Sequence, residues 1–373
     1  MSAKRKLPAW PQFNPVTEKR VAAILKSGKV NYWTGDEGRR FESAFAKWLG
    51  VRQAVSVANG TAALHLALQA LGVGRGDEVI CTPYSFVASS TSAYNAGATP
   101  VYADVGPDHM LTAETIAKVI TRRTKAIVVV HLFGQVADMR PIMHLARERK
   151  IFVIEDCAQC LGGRYYGRKV GTLGDVGCFS FCQSKHITTG GEGGMVCTRS
   201  VKVADNVRSL REHGWKVGSQ PKFFDRVGYN FRLTEIQSVI GRGELERLDS
   251  WNLPRRRRLA TELVERLSRS PWGQSLVSHW PVDTKARQAS FWLVPFVLDE
   301  RKLKVPVDRF IEAMQAAGVG AYKIMWPLPK AMPTASRLIP NTLGFWVHPT
   351  YTSEEIKADV AAFEKVAAAF ARQ

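Results

Sequence analysis

The chain has 373 residues, 45% hydrophobic and 23% charged, which is longer than the ~250–300 residues one core usually organises, so two domains are expected. That composition excludes a disordered, collagen-like or coiled-coil protein. Its 52 Lys and Arg against 33 Asp and Glu leave a formal charge of +19, an excess that suggests nucleic acid, an acidic membrane surface or a phosphorylated substrate as partner.

The N-terminal run Met1-Ser2-Ala3-Lys4-Arg5-Lys6 is basic, but Pro8, Trp10, Pro11 and Pro15 interrupt the region where a signal peptide needs unbroken apolar sequence. No window approaches the ~20 apolar residues of a membrane span, so a soluble, cytoplasmic protein without membrane insertion is expected. Thr17 is placed to cap a helix carrying Val21, Ile24 and Leu25 and stopped by Gly28; Phe41, Ala44, Phe45 and Trp48 mark the apolar face of the next. Gln53 to Val57 then reads as a strand, Thr61 to Leu71 as a buried helix and Glu78 to Cys81 as a strand. Helical Ala88 to Asn95 leads to the strand Pro100 to Ala103, and a Thr112 to Ile120 helix to the strand Lys125 to His131. Pro141 opens a helix that reaches Arg149, before the strand Ile151 to Glu155. Continuously apolar strands separated by helices make a parallel sheet covered on both faces.

Two strand-like runs, Gly177 to Cys182 and Gly194 to Thr198, follow each other without a long helix between them, which makes the sheet mixed though mostly parallel. A helix from Thr234 through Leu248 is expected to break at Trp251-Asn252-Leu253-Pro254. The boundary between a large domain, 1–250, and a smaller α+β domain, 251–373, is placed there. The second pattern contains the strand Phe291 to Val297, the helix Val307 to Ala317 and a last helix. Ser353 is its expected cap, with Glu354 and Glu355 in the first turn and Ile356, Val360, Phe363 and Phe370 at helical spacing.

Cys81, Cys157, Cys160, Cys178, Cys182 and Cys197 all precede residue 200. Cys157 and Cys160 form a CxxC, and a zinc site would need Cys178 and Cys182 as its other half. Both of the latter sit in a strand-like run, however, and no His has ligand spacing, so reduced, buried thiols are expected and no metal.

Asp156 stands just past the carboxyl end of the strand Ile151 to Glu155, the edge of an open α/β sheet where ligands gather. Beyond the strand holding Ser180 comes Lys185, in a loop with Thr188, Thr189, Gly190, Gly191, Gly193 and Gly194. A lysine and a carboxylate on neighbouring strand ends suit pyridoxal 5'-phosphate: the lysine holds the aldehyde covalently, and the acid keeps the pyridine nitrogen protonated so that the ring accepts electrons. Ala58-Asn59-Gly60-Thr61 joins a strand to a helix, so free N–H groups at the helix start can face an anion. Ser180 is a further phosphate donor, and Phe86 an aromatic that can lie against a ring. Each has a plainer alternative: a solvated lysine, an ordinary turn, a tolerated small residue, core packing.

Several runs occur in order: Asn59-Gly60-Thr61-Ala62-Ala63-Leu64, His131-Leu132-Phe133-Gly134-Gln135, Glu155-Asp156-Cys157-Ala158-Gln159, Phe179-Ser180-Phe181 followed by Lys185, and Gly191-Glu192-Gly193-Gly194. With Gly228-Tyr229-Asn230-Phe231-Arg232-Leu233-Thr234-Glu235-Ile236-Gln237, they resemble the DegT/DnrJ/StrS family of sugar aminotransferases. The resemblance spans residues 15 to 250 and, more loosely, the rest. It implies an aspartate-aminotransferase-like α/β fold (pyridoxal-phosphate fold type I) and a homodimer whose active sites are shared between subunits. By the same resemblance Lys185 is the lysine that carries the cofactor, and Asp156 the partner of the pyridine nitrogen. Gln159 lies near the ring hydroxyl, Phe86 stacks on the ring, and Gly60, Thr61 and Ser180 bind the phosphate. Asn230 resembles the asparagine that reaches the phosphate from the other subunit. Two departures stand out. One extra glycine separates Lys185 from the Gly-Glu-Gly-Gly turn, and His186 follows the lysine, whereas family dehydratases carry a His in its place; dehydration is therefore disfavoured.

The implied reaction moves an amino group from L-glutamate to a keto-sugar, foremost a nucleotide-linked 4-keto-6-deoxysugar of surface-polysaccharide, lipopolysaccharide or amino-sugar biosynthesis. A free cyclitol, an aromatic precursor or a sugar acid is the alternative acceptor. Trp33, Arg232, Lys323 and His348 are candidate contacts to a nucleotide diphosphate, each equally readable as packing or surface. A nucleic-acid binder is the rival from another class, leaning on Arg255-Arg256-Arg257-Arg258 and Lys4-Arg5-Lys6. Successive arginines on a helix point all round it, and no reader motif accompanies them, so no nucleic-acid partner is expected. A cofactor-bound regulator without turnover would have no need of Lys185, Asp156 and Asn230 together.

Overall fold

A computed structural model describes residues 7–220, 223–323 and 332–372; the basic run Met1 to Lys6 lies outside them. The central sheet is built from β1 (Gln53–Val57), β2 (Glu78–Cys81), β3 (Thr99–Tyr102), β4 (Thr124–Val130), β5 (Phe152–Asp156), β8 (Val176–Ser180) and β9 (Gly194–Thr198), while β6 (Arg164–Tyr165) and β7 (Arg168–Lys169) form a hairpin between β5 and β8. Its strand order is β1-β9-β8-β5-β4-β2-β3. Only β9 runs against the others, pairing antiparallel with β1 and β8. The four-residue strand β2 is buried throughout, as expected of a parallel sheet covered on both faces.

The covering helices are α1 (Pro15–Ser27), α2 (Glu37–Leu49), α3 (Gly60–Ala70), α4 (Ala88–Asn95), α5 (Ala113–Ala117), α6 (Met139–Glu148), α7 (Val201–Arg211) and α8 (Glu235–Glu246). Phe41 and Phe45 of α2, Ile142 of α6 and Leu245 of α8 share one core. Leu64 and Leu68 of α3, Ala93 of α4 and Val207 of α7 share the core on the opposite face.

A second core follows α9 (Leu253–Arg269) and α10 (Pro271–Leu276). It lies on a four-stranded antiparallel sheet of order β10-β12-β14-β13, made of β10 (Val277–His279), β12 (Leu293–Leu298), β13 (Ala321–Lys323) and β14 (Thr342–Trp346); β11 (Arg287–Gln288) instead pairs with β6. Leu259, Phe296, Phe310 and Phe363 meet in that core with α11 (Val307–Ala316) and α13 (Ser353–Phe370); α12 (Pro333–Asn341) leans on the first, through Leu338 and Ile339. Trp10 stacks on His348, so the N-terminal segment lies against this second region. No described helix is long and apolar enough to cross a membrane.

Several expected boundaries move for physical reasons. Asn14, not Thr17, caps α1 by accepting the Thr17 N–H at 2.7 Å; Pro15 occupies the first turn, where its missing N–H is harmless. Thr352, not Ser353, caps α13 in a reciprocal box with Glu355. The break expected at Trp251 to Pro254 is a π-turn, Leu248–Asn252, that runs on into α9 with Pro254 in its first turn. The strand expected to reach Cys182 ends at Ser180, and the Thr112 to Ile120 helix shortens to Ala113–Ala117. Across the tract Arg255 to Arg258, Arg256 is buried and Arg258 exposed, so these cations are spread round α9.

Candidate active site

The carboxyl ends of β4, β5 and β8, the start of α3 and residues of the second sheet line a cavity of about 550 Å³. Asn59 caps α3 by accepting the Ala62 N–H at 2.8 Å. Gly60 and Thr61 line the cavity, so the positive pole of α3 and its first N–H groups face inward. A Cβ on Gly60 would stand 2.7 Å from the Ser180 Cβ; glycine lets the helix start approach β8 this closely. The Ser180 Oγ accepts the Cys182 N–H at 3.3 Å, which leaves its proton to donate to an anion.

Asp156 is the last residue of β5 and is buried. Its Oδ2 accepts the Ser89 hydroxyl at 2.8 Å and its Oδ1 the Ala158 N–H at 3.1 Å; Ser89 in turn shares a bond of 2.9 Å with Ser85. Burial holds the Asp156 carboxyl above the usual range, against those bonds and the nearby Lys185. The neighbouring Glu155 is satisfied differently. It accepts from His131 Nε2 at 3.0 Å and from the N–H groups of Gly171, Leu173 and Gly174. His131 Nδ1 accepts the Ala137 N–H, so Nε2 carries the proton. Glu155, His131 and Cys157 come within 4.8 Å of one another, but with both carboxylate oxygens engaged this group is a structural relay between strand ends.

Lys185 lines the cavity from the loop after β8. Burial brings its ammonium down to about 8, against the opposing pull of Cys182, Asp156 and Glu192. Two indoles fasten its backbone: Trp292 donates to the Ser184 carbonyl at 2.7 Å and Trp10 to the Lys185 carbonyl at 3.2 Å. The Trp292 ring centroid also lies 4.1 Å from Nζ, a cation–π contact that favours the charged form. Trp292 is delivered by a strap tied to the turn after β4, through Ser290 N–H to Gly134 O at 2.8 Å and Trp292 N–H to Phe133 O at 3.0 Å. The Gln159 Oε1 accepts the Phe133 N–H at 2.9 Å, which leaves its amide N–H groups for the cavity. Phe86 lines the cavity from the stretch between β2 and α4 and is 54% exposed. The extra glycine is accommodated at Gly190 and Gly191, both with positive φ, 87° and 136°, and Glu192 still reaches the cavity wall.

The structure thus brings Lys185, Asp156, Gly60, Thr61, Phe86, Gln159 and Ser180 to one cavity. Asn230 is not among them; it is exposed and bridges to Glu212. Trp33 and Arg232 both bond to Glu212, at 3.1 and 3.0 Å, and Lys323 pairs with Asp308. His348 is buried beside Tyr351, its pKa lowered to about 3 by burial and then by Arg256. None of these four lines the cavity. His186 is buried with a ring nitrogen 3.2 Å from the Ser290 carbonyl, away from the chemistry. Missing from the sequence reading are Ser89 and an aromatic wall of Trp292, Tyr322 and Trp346, packed edge to face. Ser89 falls in the expected Ala88 to Asn95 helix, but nothing in its spacing tied it to Asp156; the wall carried no signal, because chain far along the sequence supplies it.

The chain matches the sequence profile of the DegT/DnrJ/EryC1/StrS aminotransferase family over residues 12–353. It is 40% identical over 315 residues to the GDP-perosamine synthase of Caulobacter vibrioides, covering 83% of this chain and 82% of that one. Over 250 residues, 66% of either chain, it is 44% identical to the UDP-N-acetyl-3-dehydro-alpha-D-glucosamine 3-aminotransferase of Acidithiobacillus ferrooxidans. The crystal structure of an aminotransferase from Psychrobacter cryohalolentis superposes with a TM-score of 0.91 at 36% identity, covering 98% of this chain and 99% of that one. With a lysine and an acid at adjoining strand ends of a mostly parallel sheet, the fold is that of the type I pyridoxal-phosphate transaminases. The chain belongs to the DegT/DnrJ/EryC1/StrS aminotransferase family and is a sugar aminotransferase.

Proposed function

We propose that this enzyme moves an amino group from L-glutamate to a nucleotide-linked keto-sugar, foremost a 4-keto-6-deoxysugar, with pyridoxal 5'-phosphate in the cavity, in surface-polysaccharide or amino-sugar biosynthesis. The observation that carries the reading is one cavity walled by a desolvated carboxylate, a lysine with a lowered pKa and the open end of a helix. The cofactor fits those three features: its ring nitrogen suits Asp156, its aldehyde suits Lys185, and its phosphate suits Gly60, Thr61 and Ser180. The two relatives above are named for a GDP-linked and a UDP-linked sugar, which supports a nucleotide-linked acceptor.

When bound, the cofactor supplies an aldehyde for the amino group and a ring that accepts an electron pair from the substrate carbon. The chain's own residues do the rest. Asp156, held by Ser89 and Ala158, keeps a proton on the ring nitrogen. The Gln159 amide would donate to the ring hydroxyl, and Phe86 would pack against the ring. Lys185, whose pKa burial lowers, would take the proton from the donor carbon as a neutral amine and would return one to the acceptor in the second half of the reaction. The Trp292 ring, 4.1 Å from Nζ, would steady the lysine when it is charged. Asn230 reaches the phosphate of a second copy, so the enzyme works as a homodimer; exposed Phe223, Phe224 and Val227, close to Asn230 in sequence, support that surface as the contact. Residues 1–250 then form the large cofactor-binding domain and 251–373 the smaller one that closes over it.

The test is a panel of 4-keto and 3-keto nucleotide sugars, a ketocyclitol and a sugar acid, each incubated with ¹⁵N-glutamate and the holoenzyme. A ¹⁵N-labelled nucleotide sugar formed with 2-oxoglutarate, in ping-pong kinetics, is expected. Label appearing only in the cyclitol or the sugar acid would overturn the assignment of the acceptor.

A further inference from the structure

Most of the +19 charge has no role in the cavity, where Lys185 is the single cation among the lining residues. Part of it gathers at the opposite edge of the central sheet. Six strands begin on that edge and β9 ends there, because β9 alone is antiparallel. Arg52 precedes β1, Arg199 and Lys202 follow β9, and Arg147, Arg149 and Lys150 precede β5; all six are exposed. Arg122 and Arg123 before β4 and Arg75 before β2 extend the row, also exposed. At ~4.8 Å between strands, the row from β1 to β2 runs roughly 24 Å.

Carboxylates on this edge are few and occupied. Glu78 is buried against Arg123 at 2.5 Å, and Asp175 accepts the Val153 N–H at 2.8 Å. Asp77 accepts the Gly74 N–H at 3.0 Å, and Glu148 lies 3.3 Å from His144. Among the described residues, Arg123 is the one cation of this row with a carboxylate partner. Helix poles do not explain the row either. Arg147 sits in the last turn of α6, where a cation is favoured, but Lys202 sits in the first turn of α7, where the pole repels it.

A cleft of about 460 Å³ opens in the middle of this edge. Met143, Ile151, Phe152 and Leu173 line it together with Arg147, Lys150 and Arg199 and a single carboxylate, Asp175. Val201 is exposed between Arg199 and Lys202. The exposed aromatic beside this row is Tyr94, at the end of α4 near Arg75, where a stacking platform for successive bases needs several, and the row consists of strand and helix ends with no helix or ribbon projecting into a groove. An edge of this kind, with an apolar cleft among its cations, matches a plane of anionic headgroups that have apolar chains beneath.

We propose that the sheet edge remote from the active site is a docking surface for a bilayer carrying anionic phospholipid. It holds the enzyme at the membrane surface with the catalytic cavity facing away. Binding is peripheral, in keeping with the absence of a spanning helix among the described residues. The test is co-sedimentation of the holoenzyme with vesicles of phosphatidylcholine alone or with ~30% phosphatidylglycerol, at ~50 and ~500 mM salt. Binding to the anionic vesicles only, lost at high salt, is expected. The variant Arg147→Gln/Arg149→Gln/Lys150→Gln/Arg199→Gln should lose at least ~10-fold in bound fraction while its transaminase turnover stays unchanged. A control of equal charge loss elsewhere, Arg269→Gln/Arg301→Gln/Lys304→Gln/Arg309→Gln, should bind like the parent. Equal binding by both variants, or equal binding to neutral vesicles, would overturn the proposal. Displacement of the vesicles by duplex DNA at equal charge concentration would also overturn it, assigning the edge to nucleic acid.

Discussion

The two edges of the central sheet use cations in opposite ways. At the carboxyl edge Lys185 is sheltered, pressed on the Trp292 ring and lowered toward neutrality by burial. At the other edge Arg52, Arg75 and Arg199 are exposed to solvent. A cation becomes a chemical reagent where solvent is removed and stays an electrostatic handle where solvent remains. The same sheet separates the two, so changes at one edge should leave the other intact.

The largest expected effect falls on the sheltered lysine. Lys185→Ala should lower single-turnover transamination at least ~10³-fold, the scale on which an enzyme depends on its proton carrier. Borohydride reduction of the holoenzyme followed by mass spectrometry should also stop labelling position 185; a turnover within ~10-fold of the parent would break the comparison outright. Asp156→Asn keeps the shape and removes the charge. A fall of about 10²-fold is expected in the same assay, with a changed visible spectrum of the bound cofactor.

Trp292 separates position from charge. Trp292→Phe keeps the ring under Nζ and loses the bond to the Ser184 carbonyl, whereas Trp292→Leu loses both. About 3-fold and about 10-fold losses in kcat are expected in that order, and in the leucine variant the alkaline limb of the kcat profile should move. If both variants shift that limb equally, the ring contact is not what tunes the lysine.

The cofactor-free protein carries a pH signature of its own. Lys185 titrates near 8 when folded against an ordinary 10.5, so between those values the unfolded chain binds more protons and stability rises with pH. The penalty is fully present below about 8 and is relieved as pH climbs toward 10.5. Urea unfolding at successive pH values should show that rise in the parent and a flatter curve for Lys185→Met. The smallest effect belongs to the solvated edge, where the four arginine and lysine replacements described above should leave urea midpoints nearly unmoved, as surface substitutions usually do. A clear loss of stability there would mean the row is structural.

Much of this division was legible in the residues, and where it was not the reason is distance along the chain. β1, β2 and β9 begin and end where apolar runs meet turn residues, and Lys185, Asp156 and Gly60 stand out because their chemistry is tied to local strand and helix ends. Caps were less legible, since Asn14 and Thr17, like Thr352 and Ser353, offer equally good oxygens and only the backbone decides between them. The helix break expected near Trp251 comes earlier, at Arg247, because a π-turn carries the chain on to α9 and Pro254 fits in that helix's first turn. Trp292, Tyr322 and Trp346 could not be placed at the cavity from spacing alone, for a separate sheet brings them there. The charge total was visible at once, but the gathering of part of it along one edge needed the strand order.

The two indole bonds that fasten the lysine loop also set when the site can exist. One donor lies 175 positions before the lysine and the other 108 positions after Ser184. On a growing chain Trp10 and the sheet strands through β9 emerge well before Trp292, so the loop lacks the second of its two tethers while most of its surroundings can already pack. Long-range closures of this kind come late in folding, and ribosome-bound chains ending at residue 280 should capture pyridoxal phosphate far more weakly than released ones. Catalytic competence is then a property of the finished polypeptide, acquired in the last stage of its maturation.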